Sequence, residues 1–149
     1  MRFLLFVLFF VLNTFIVYSQ NWIFDIDEAI NMANQENKKI IMVFSGSDWC
    51  APCIKLDHEI WMQEEFIQYA NQHFIMLRVD FPKRSKGKIT KEQKEKNELL
   101  AEQFNPNGIF PYVLVLDGEG KVLNTLGYEG VSVKDYLDLL NQSNQKNAQ

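Results

Sequence analysis

Cysteine and histidine are scarce in this 149-residue sequence, which contains two of each. His58 and His73 lie too far apart for a zinc-binding pair, whose members are normally about three to five residues apart. Excess positive charge is also lacking, because 15 basic residues face 19 acidic ones and the formal net charge is −4. A mildly acidic protein has no general attraction to nucleic acid. We therefore expect no metal site, no cofactor and no nucleic-acid partner.

The first twenty residues have the pattern of a secretory signal peptide. An apolar run from Phe3 to Leu12 is followed by a polar break, and Val17 and Ser19 suit the −3 and −1 positions of a cleavage site near Ser19/Gln20. An uncleaved membrane anchor is less favoured, because spanning a bilayer takes about 20 apolar residues. This leader therefore predicts a periplasmic or secreted protein. We also expect the protein to be a monomer. Removal of residues 1–20 takes away one basic residue and no acid, so the net charge becomes 14 − 19 = −5.

The two cysteines stand in the segment Trp49-Cys50-Ala51-Pro52-Cys53, between an apolar run, Ile40–Phe44, and an amphipathic segment from Ile54 to about Trp61. A strand, a tight turn and a helix would place Cys50 at a helix N-terminus. There, free backbone N–H groups and the helix dipole stabilise a thiolate and lower the thiol pKa from about 8.5 to roughly 3.5–7.5. We therefore predict a redox site in which Cys50 is the nucleophile and Cys53 the resolving thiol.

A purely structural disulfide is the alternative for these cysteines in an exported protein. The closed loop would contain two intervening residues, so its stabilisation of the fold would be small compared with that of a long-loop bridge. The spacing therefore favours a redox role.

The rest of the chain predicts an α/β fold in a domain that covers residues 21–142. The first half is predicted to contain a helix capped by Asp25 or Asp27, a strand over 40–44, the helix after the cysteines, a helical piece at 64–71 and a strand at 73–80. A basic insertion loop at 83–89 follows, and then a helix that is opened by a Thr90–Gln93 capping box and carries Leu99, Leu100 and Phe104 on one face. The chain is predicted to end with a hairpin of 112–117 and 122–126, a helix capped by Ser132, and a flexible tail at 143–149. This order, α-β-α-β-α-β-β-α, indicates a central mixed sheet with parallel strands, a C-terminal antiparallel hairpin and helices on both faces.

This order and the Trp-Cys-Ala-Pro-Cys motif resemble the thioredoxin fold, and the resemblance covers nearly all of the chain after the leader. It implies that Pro111, in Gly108-Ile109-Phe110-Pro111, is a cis-proline beside the cysteines; the residues alone would also allow an ordinary trans proline. It further implies that Trp49, Ala51, Pro52, Phe110 and Pro111 form the substrate-binding surface.

One position departs from the thioredoxin pattern. The resemblance places a buried acid six residues before the first cysteine, where this sequence has Phe44. Proton transfer from the resolving thiol would then depend on a water molecule or on Asp48.

The resulting hypothesis is an exported thiol:disulfide oxidoreductase that acts on disulfide-containing protein substrates and is served by an upstream redox partner. Since Ala51-Pro52 contains no histidine to stabilise the thiolate further, a reductase is favoured over an oxidant. The alternative is a non-catalytic thioredoxin-fold module that binds exported polypeptides. The basic stretch from Lys83 to Lys96 is either a docking site for an acidic partner or an ordinary solvated surface.

Overall fold

The computed structural model describes residues 19–84 and 89–142. Outside the described residues lie positions 1–18 of the predicted signal peptide, positions 85–88 of the basic loop, and the tail at 143–149. The elements are β1 (Trp22–Ile23), α1 (Ile26–Glu36), β2 (Lys39–Ser45), α2 (Ala51–Leu56), a π-helical turn (Asp57–Trp61), α3 (Glu64–His73), β3 (Phe74–Asp80), α4 (Lys91–Phe104), β4 (Tyr112–Leu116), β5 (Val122–Leu126) and α5 (Val133–Asn141). Within the described ranges, no helix is long and apolar enough to cross a membrane.

The five strands form one mixed sheet in the order β1-β3-β2-β4-β5. β2 runs parallel to β3, with Ser45 opposite Asp80, and antiparallel to β4, with Phe44 opposite Tyr112. β4 and β5 form the predicted hairpin. The α/β class and the mixed sheet are therefore confirmed. The sequence reasoning missed β1, which is two residues long and pairs with β3 in parallel.

Helices cover both faces of this sheet. On one face, α1 and α4 contact a cluster of buried side chains that includes Phe44, Leu77 and Leu100. On the other face, α2, α3 and α5 contribute Leu56, Phe66 and Tyr136, among others, to a second cluster. Both clusters are nearly closed to solvent, as the unbroken apolar sequence of β2 predicts for a strand covered on both sides.

The expectation for α4 was wrong in one detail. Leu99 is 65% exposed, whereas Leu100 is 7% exposed and packs against the sheet. Thr90 does cap the helix by accepting a hydrogen bond from the Gln93 N–H. The predicted start of the helix is therefore confirmed. The Gln93 side-chain amide also donates to the Phe24 carbonyl oxygen and to Asn97, so it ties α4 to the residue after β1 and to its own next turn.

The topology places three loops at one edge of the sheet. β2 and β3 are parallel and end together at Ser45 and Asp80, and β4 starts beside them at Tyr112 because it is antiparallel. The turn after β2, the loop after β3 and the segment before β4 therefore meet at this edge. All of the site residues predicted from the sequence lie there.

Candidate functional site

The turn between β2 and α2 is held by its own backbone and by one close contact. The N–H groups of Trp49 and Cys50 both donate to the Gly46 carbonyl oxygen, at 3.2 and 2.9 Å. The Trp49 indole packs on Gly46 so closely that a Cβ at position 46 would lie 2.4 Å from its Cε2 atom. Gly46 is therefore needed for the indole to fold back over the turn.

Cys50 and Cys53 are joined by a disulfide bond at the start of α2. Cys50 is the N-cap residue, and its Sγ atom accepts a 3.3 Å hydrogen bond from the Cys53 N–H. The two cysteines are 5% and 2% exposed, whereas Ala51 and Pro52 between them are exposed. The first turn of the helix therefore directs the Cys53 N–H at the sulfur of Cys50, which is the arrangement that stabilises a thiolate when the bond is reduced.

The Phe110–Pro111 peptide bond is cis and lies directly before β4. The Phe110 ring is 5.4 Å from the Trp49 ring and 5.7 Å from the Phe81 ring, each in an edge-to-face arrangement. Three loops that are distant in sequence therefore meet around Phe110. This contact brings the proline segment beside the cysteine turn.

Asn105 positions this segment, a role that the sequence reasoning missed. Its side chain is buried, accepts a 2.9 Å hydrogen bond from the Ile109 N–H and donates a 2.8 Å bond to the Ile109 carbonyl oxygen. Asn105-Pro106-Asn107-Gly108 is a run of residues that stop helices, and α4 does end there. A pattern of helix-stopping residues does not show which of them reaches forward to the chain before Pro111.

The loop after β3 is fastened to the cysteine turn by side chains of that turn. Trp49 Nε1 donates a 2.7 Å bond to the Phe81 carbonyl oxygen. The two carboxylate oxygens of Asp48 accept from the N–H groups of Lys83 and Arg84, at 2.9 and 2.8 Å.

From the other side, the Asp80 carboxylate accepts from the N–H and the hydroxyl of Ser47, at 2.9 and 2.6 Å. Because Asp48 holds Lys83 and Arg84, these first residues of the basic insertion lie against the cysteine turn.

Phe44 fills the position where the thioredoxin pattern has a buried acid. It is fully buried and lies 6.4 Å from Tyr112, ring to ring. The Asp48 carboxylate holds the neighbouring loop through two backbone N–H groups, and such bonds stabilise its charged form.

Arg78 and Asp57 form an ion pair on the face of the sheet opposite to that of Phe44. Asp57 is one helical turn after Cys53, and its carboxylate accepts hydrogen bonds from both terminal nitrogens of the guanidinium. The Arg78 guanidinium also lies 4.0 Å from the ring centre of Trp22.

Neither histidine belongs to the cysteine turn or to α2. His58 is exposed on the π-helical turn, and His73 is exposed at the end of α3, where its ring lies 4.2 Å from that of Tyr69. Among the described residues, no cluster of histidine, cysteine and acidic side chains could hold a metal ion.

The structure combines a mixed sheet, a Cys-x-x-Cys disulfide at the start of a helix, and a cis-proline segment packed beside it. This combination defines the thioredoxin class of fold and site. The sequence matches the thioredoxin-like domain family over residues 26–144, and the chain belongs to that family. Over 102 residues it is 40% identical to the disulfide bond reductase DsbH of Chlamydia pneumoniae. Over 109 residues it is 27% identical to the thioredoxin-related protein DsbJ of the same organism.

The first match covers 68% of this chain and 60% of DsbH, and the second covers 73% of this chain and 30% of DsbJ. A solved structure of a DsbH oxidoreductase superposes with a TM-score of 0.77 at 32% identity, over 87% of both chains. A thioredoxin from Thermus thermophilus gives a TM-score of 0.62 at 17% identity, over 87% of this chain and 91% of the other, and supports the fold alone.

Proposed function

We propose that this protein is a thiol:disulfide oxidoreductase that uses Cys50 and Cys53 as a dithiol/disulfide pair. The observation that carries the proposal is the hydrogen bond from the Cys53 N–H to Cys50 Sγ at the N-terminus of α2. That N–H and the helix dipole would favour the Cys50 thiolate after reduction and so create the nucleophile. The 40% identity to a protein described as a disulfide bond reductase supports the same chemistry.

The reaction begins with the reduced pair. The Cys50 thiolate attacks one sulfur of a substrate disulfide, a mixed disulfide forms, and the other substrate sulfur leaves as a thiolate and takes up a proton. Cys53 then loses its proton and attacks Cys50 Sγ, and the second substrate thiol leaves. Two electrons pass from the pair to the substrate, whose two sulfurs take up one proton equivalent to that lost by Cys53 and one from solvent. The Cys50–Cys53 disulfide in the structure is the resulting oxidised state. A dithiol reductant must then restore the reduced pair.

The substrate would bind across the surface formed by Trp49, Ala51, Pro52, Phe110 and Pro111. Ala51 and Pro52 are exposed, and the rings of Trp49 and Phe110 are partly exposed around the disulfide. Backbone groups of the segment before Pro111 could pair with an extended substrate chain, in the manner of an added β-strand.

We assign the reductase direction, with protein disulfides as substrates and an upstream dithiol protein as electron donor. The dipeptide Ala51-Pro52 contains no histidine, and the similar protein DsbH carries the description of a reductase. The expected location is the periplasm or the exterior, after removal of a signal peptide near Ser19. Equilibration in glutathione buffers tests the direction: a strongly oxidising Cys50–Cys53 potential would contradict it.

Insulin reduction with dithiothreitol tests the activity. The wild-type protein should accelerate insulin precipitation, and Cys50→Ser should lose the acceleration. Cys53→Ser keeps the nucleophile and should accumulate a mixed disulfide with the substrate. Equal rates for wild type and Cys50→Ser would favour the non-catalytic binding module instead.

A further inference from the structure

The loop after β3 brings two cations to the border of the redox site. Asp48 fixes the backbone of Lys83 and Arg84 beside the cysteine turn, through bonds of 2.9 and 2.8 Å. The Lys83 ammonium lies 3.9 Å from the centre of the Trp49 ring, and Trp49 directly precedes Cys50. We name Lys83 and Arg84 the basic border.

The charges of the basic border are available to a partner in solution. Both side chains are exposed. The nearby carboxylates of Asp48 and Asp80 are engaged within the turn, where they accept bonds from backbone N–H groups and from Ser47. These two negative charges weaken the positive potential of Lys83 and Arg84 at a distance. The basic border therefore attracts mainly an anionic group that comes into direct contact with the two side chains.

Exposed apolar side chains lie on the cysteine motif with its helix and on the segment before the cis-proline. Ile54 follows Cys53 and is 37% exposed, and Ile109 precedes Phe110 and is 48% exposed. Ala51 and Pro52 add further exposed apolar surface. A chain that places its disulfide over Cys50 would contact apolar groups there and cations at the basic border.

We infer that the preferred substrates are polypeptides whose disulfide-bonded cysteine is flanked by apolar and acidic residues, with the acidic side chains paired to Lys83 and Arg84. The inference rests on the proposed function and names its substrate class. A polypeptide is favoured over nucleic acid because apolar residues adjoin the two cations and the chain as a whole has a net charge of −4. Over its length, no acidic residue occurs between Asp80 and Glu92, so the sequence leaves this border basic.

The test uses two synthetic peptides that each contain one internal disulfide and differ only in the residues flanking it, glutamates in one and lysines in the other. Reduced full-length protein is mixed with each peptide, quenched with acid and assayed for the Cys50–Cys53 disulfide by thiol alkylation and mass spectrometry. The ratio of the two second-order rate constants, acidic over basic, measures discrimination. Because each ratio is internal to one protein, differences in intrinsic reactivity between variants cancel.

Wild type should prefer the acidic peptide, and Arg84→Glu should reduce the ratio by roughly 1.4- to fivefold, the range for an exposed ion pair. Lys83→Glu combined with Arg84→Glu should reduce it further. Lys121→Glu makes the same charge change in the β4–β5 turn, at the opposite end of the sheet, and should leave the ratio near that of wild type. Raising the salt from about 0.01 to about 1 M shortens the screening length from about 30 to about 3 Å and should also weaken the preference.

Equal rates for the two peptides in wild type, or the same loss of preference in Lys121→Glu and Arg84→Glu, would overturn the inference while leaving the oxidoreductase activity in place. Failure to reduce either peptide would instead contradict the proposed function. A cysteine-free acidic peptide and an oligonucleotide of equal charge serve as competitors. The inference requires stronger inhibition by the peptide, and stronger inhibition by the oligonucleotide would show that the border binds polyanions in general.

Discussion

The indole of Trp49 donates a 2.7 Å hydrogen bond to the carbonyl oxygen of Phe81, which joins the residue before Cys50 to the loop after β3. The bond spans 32 residues of sequence and connects the ends of two parallel strands. It explains how a short turn keeps a large aromatic side chain at a fixed place beside the disulfide. Trp49 therefore has a structural role in addition to the substrate contact that we propose for it.

Trp49→Phe should lower the free energy of unfolding by about 1–3 kcal/mol, because it keeps an aromatic ring but leaves the partly buried Phe81 carbonyl oxygen without its donor. Urea denaturation of the oxidised protein measures the change. Phe110→Leu, which alters a neighbouring ring without removing a hydrogen bond, is the matched comparison. No loss of stability in Trp49→Phe would show that solvent replaces the indole N–H without penalty.

Gly46→Ala should destabilise the protein by about 1–3 kcal/mol, since the new methyl group would overlap the Trp49 indole at 2.4 Å. The displaced indole should also slow insulin reduction. Gly127→Ala is the control, because the atoms nearest to its added Cβ are 3.7 and 3.8 Å away. If both alanine variants unfold at the same urea concentration, the close packing of Gly46 and Trp49 has no energetic consequence.

The pair of Arg78 and Asp57 should be strongly coupled, because the two side chains are only 15% and 20% exposed. Asp57→Ala leaves a mostly buried guanidinium without its carboxylate and should cost about 3 kcal/mol of unfolding free energy, near the lower end for a broken buried pair. Replacing both residues, with Arg78→Met and Asp57→Leu, should restore much of the loss. Urea midpoints of Asp57→Ala and of the double variant check this, and a cost below about 1 kcal/mol for Asp57→Ala would place the pair with ordinary surface ion pairs.

Asp25 gives a prediction for acid unfolding. The bond from Lys96, followed by that from the Glu28 N–H, holds the pKa of Asp25 below its ordinary value of 3.8. A carboxylate whose pKa is lower in the folded state stabilises the fold above pH 3.8, and this contribution disappears as the pH falls through the folded-state pKa. Asp25→Ala should also lose the N-cap of α1, at a cost of about 0.5–2 kcal/mol near pH 7.

Asp25→Asn is the matched variant, since asparagine keeps a capping oxygen but does not titrate. The difference in unfolding free energy between wild type and Asp25→Asn should shrink below pH 3.8. A difference that stays constant from pH 7 to acid would show that the charge of Asp25 adds no stability.

Sequence reasoning recovered the elements whose pattern is local. The continuous apolar run of β2, the cap at Ser132 and the hairpin of β4 and β5 each follow from neighbouring residues. The cap of α1 was narrowed to Asp25 or Asp27, and the structure places it at Asp25. β1 has no such signal, because two residues are too few to show a period. Its existence depends on pairing with β3, more than fifty residues away.

The cysteine motif could also be predicted, because its residues are neighbours in the sequence. The residues that support it could not be predicted. Asp48 bonds to the loop after β3, and Asn105 bonds to the segment before the cis-proline. These contacts depend on the three loops meeting at one edge of the sheet, which a single sequence does not specify. Leu99 failed for a related reason: adjacent helical residues point about 100° apart, and only the packed structure shows that Leu100 faces the sheet.

Disulfide exchange at this site depends on the ionisation of the Cys50 sulfur. The Cys53→Ser variant leaves Cys50 as the single thiol and keeps the backbone N–H that faces it, so its rate of alkylation by iodoacetamide against pH gives the pKa of Cys50 directly. We predict a pKa within about 3.5–7.5, because the helix N-terminus favours the anion. A value near the 8.5 of an unperturbed thiol would contradict the proposal that this turn activates Cys50 for disulfide exchange.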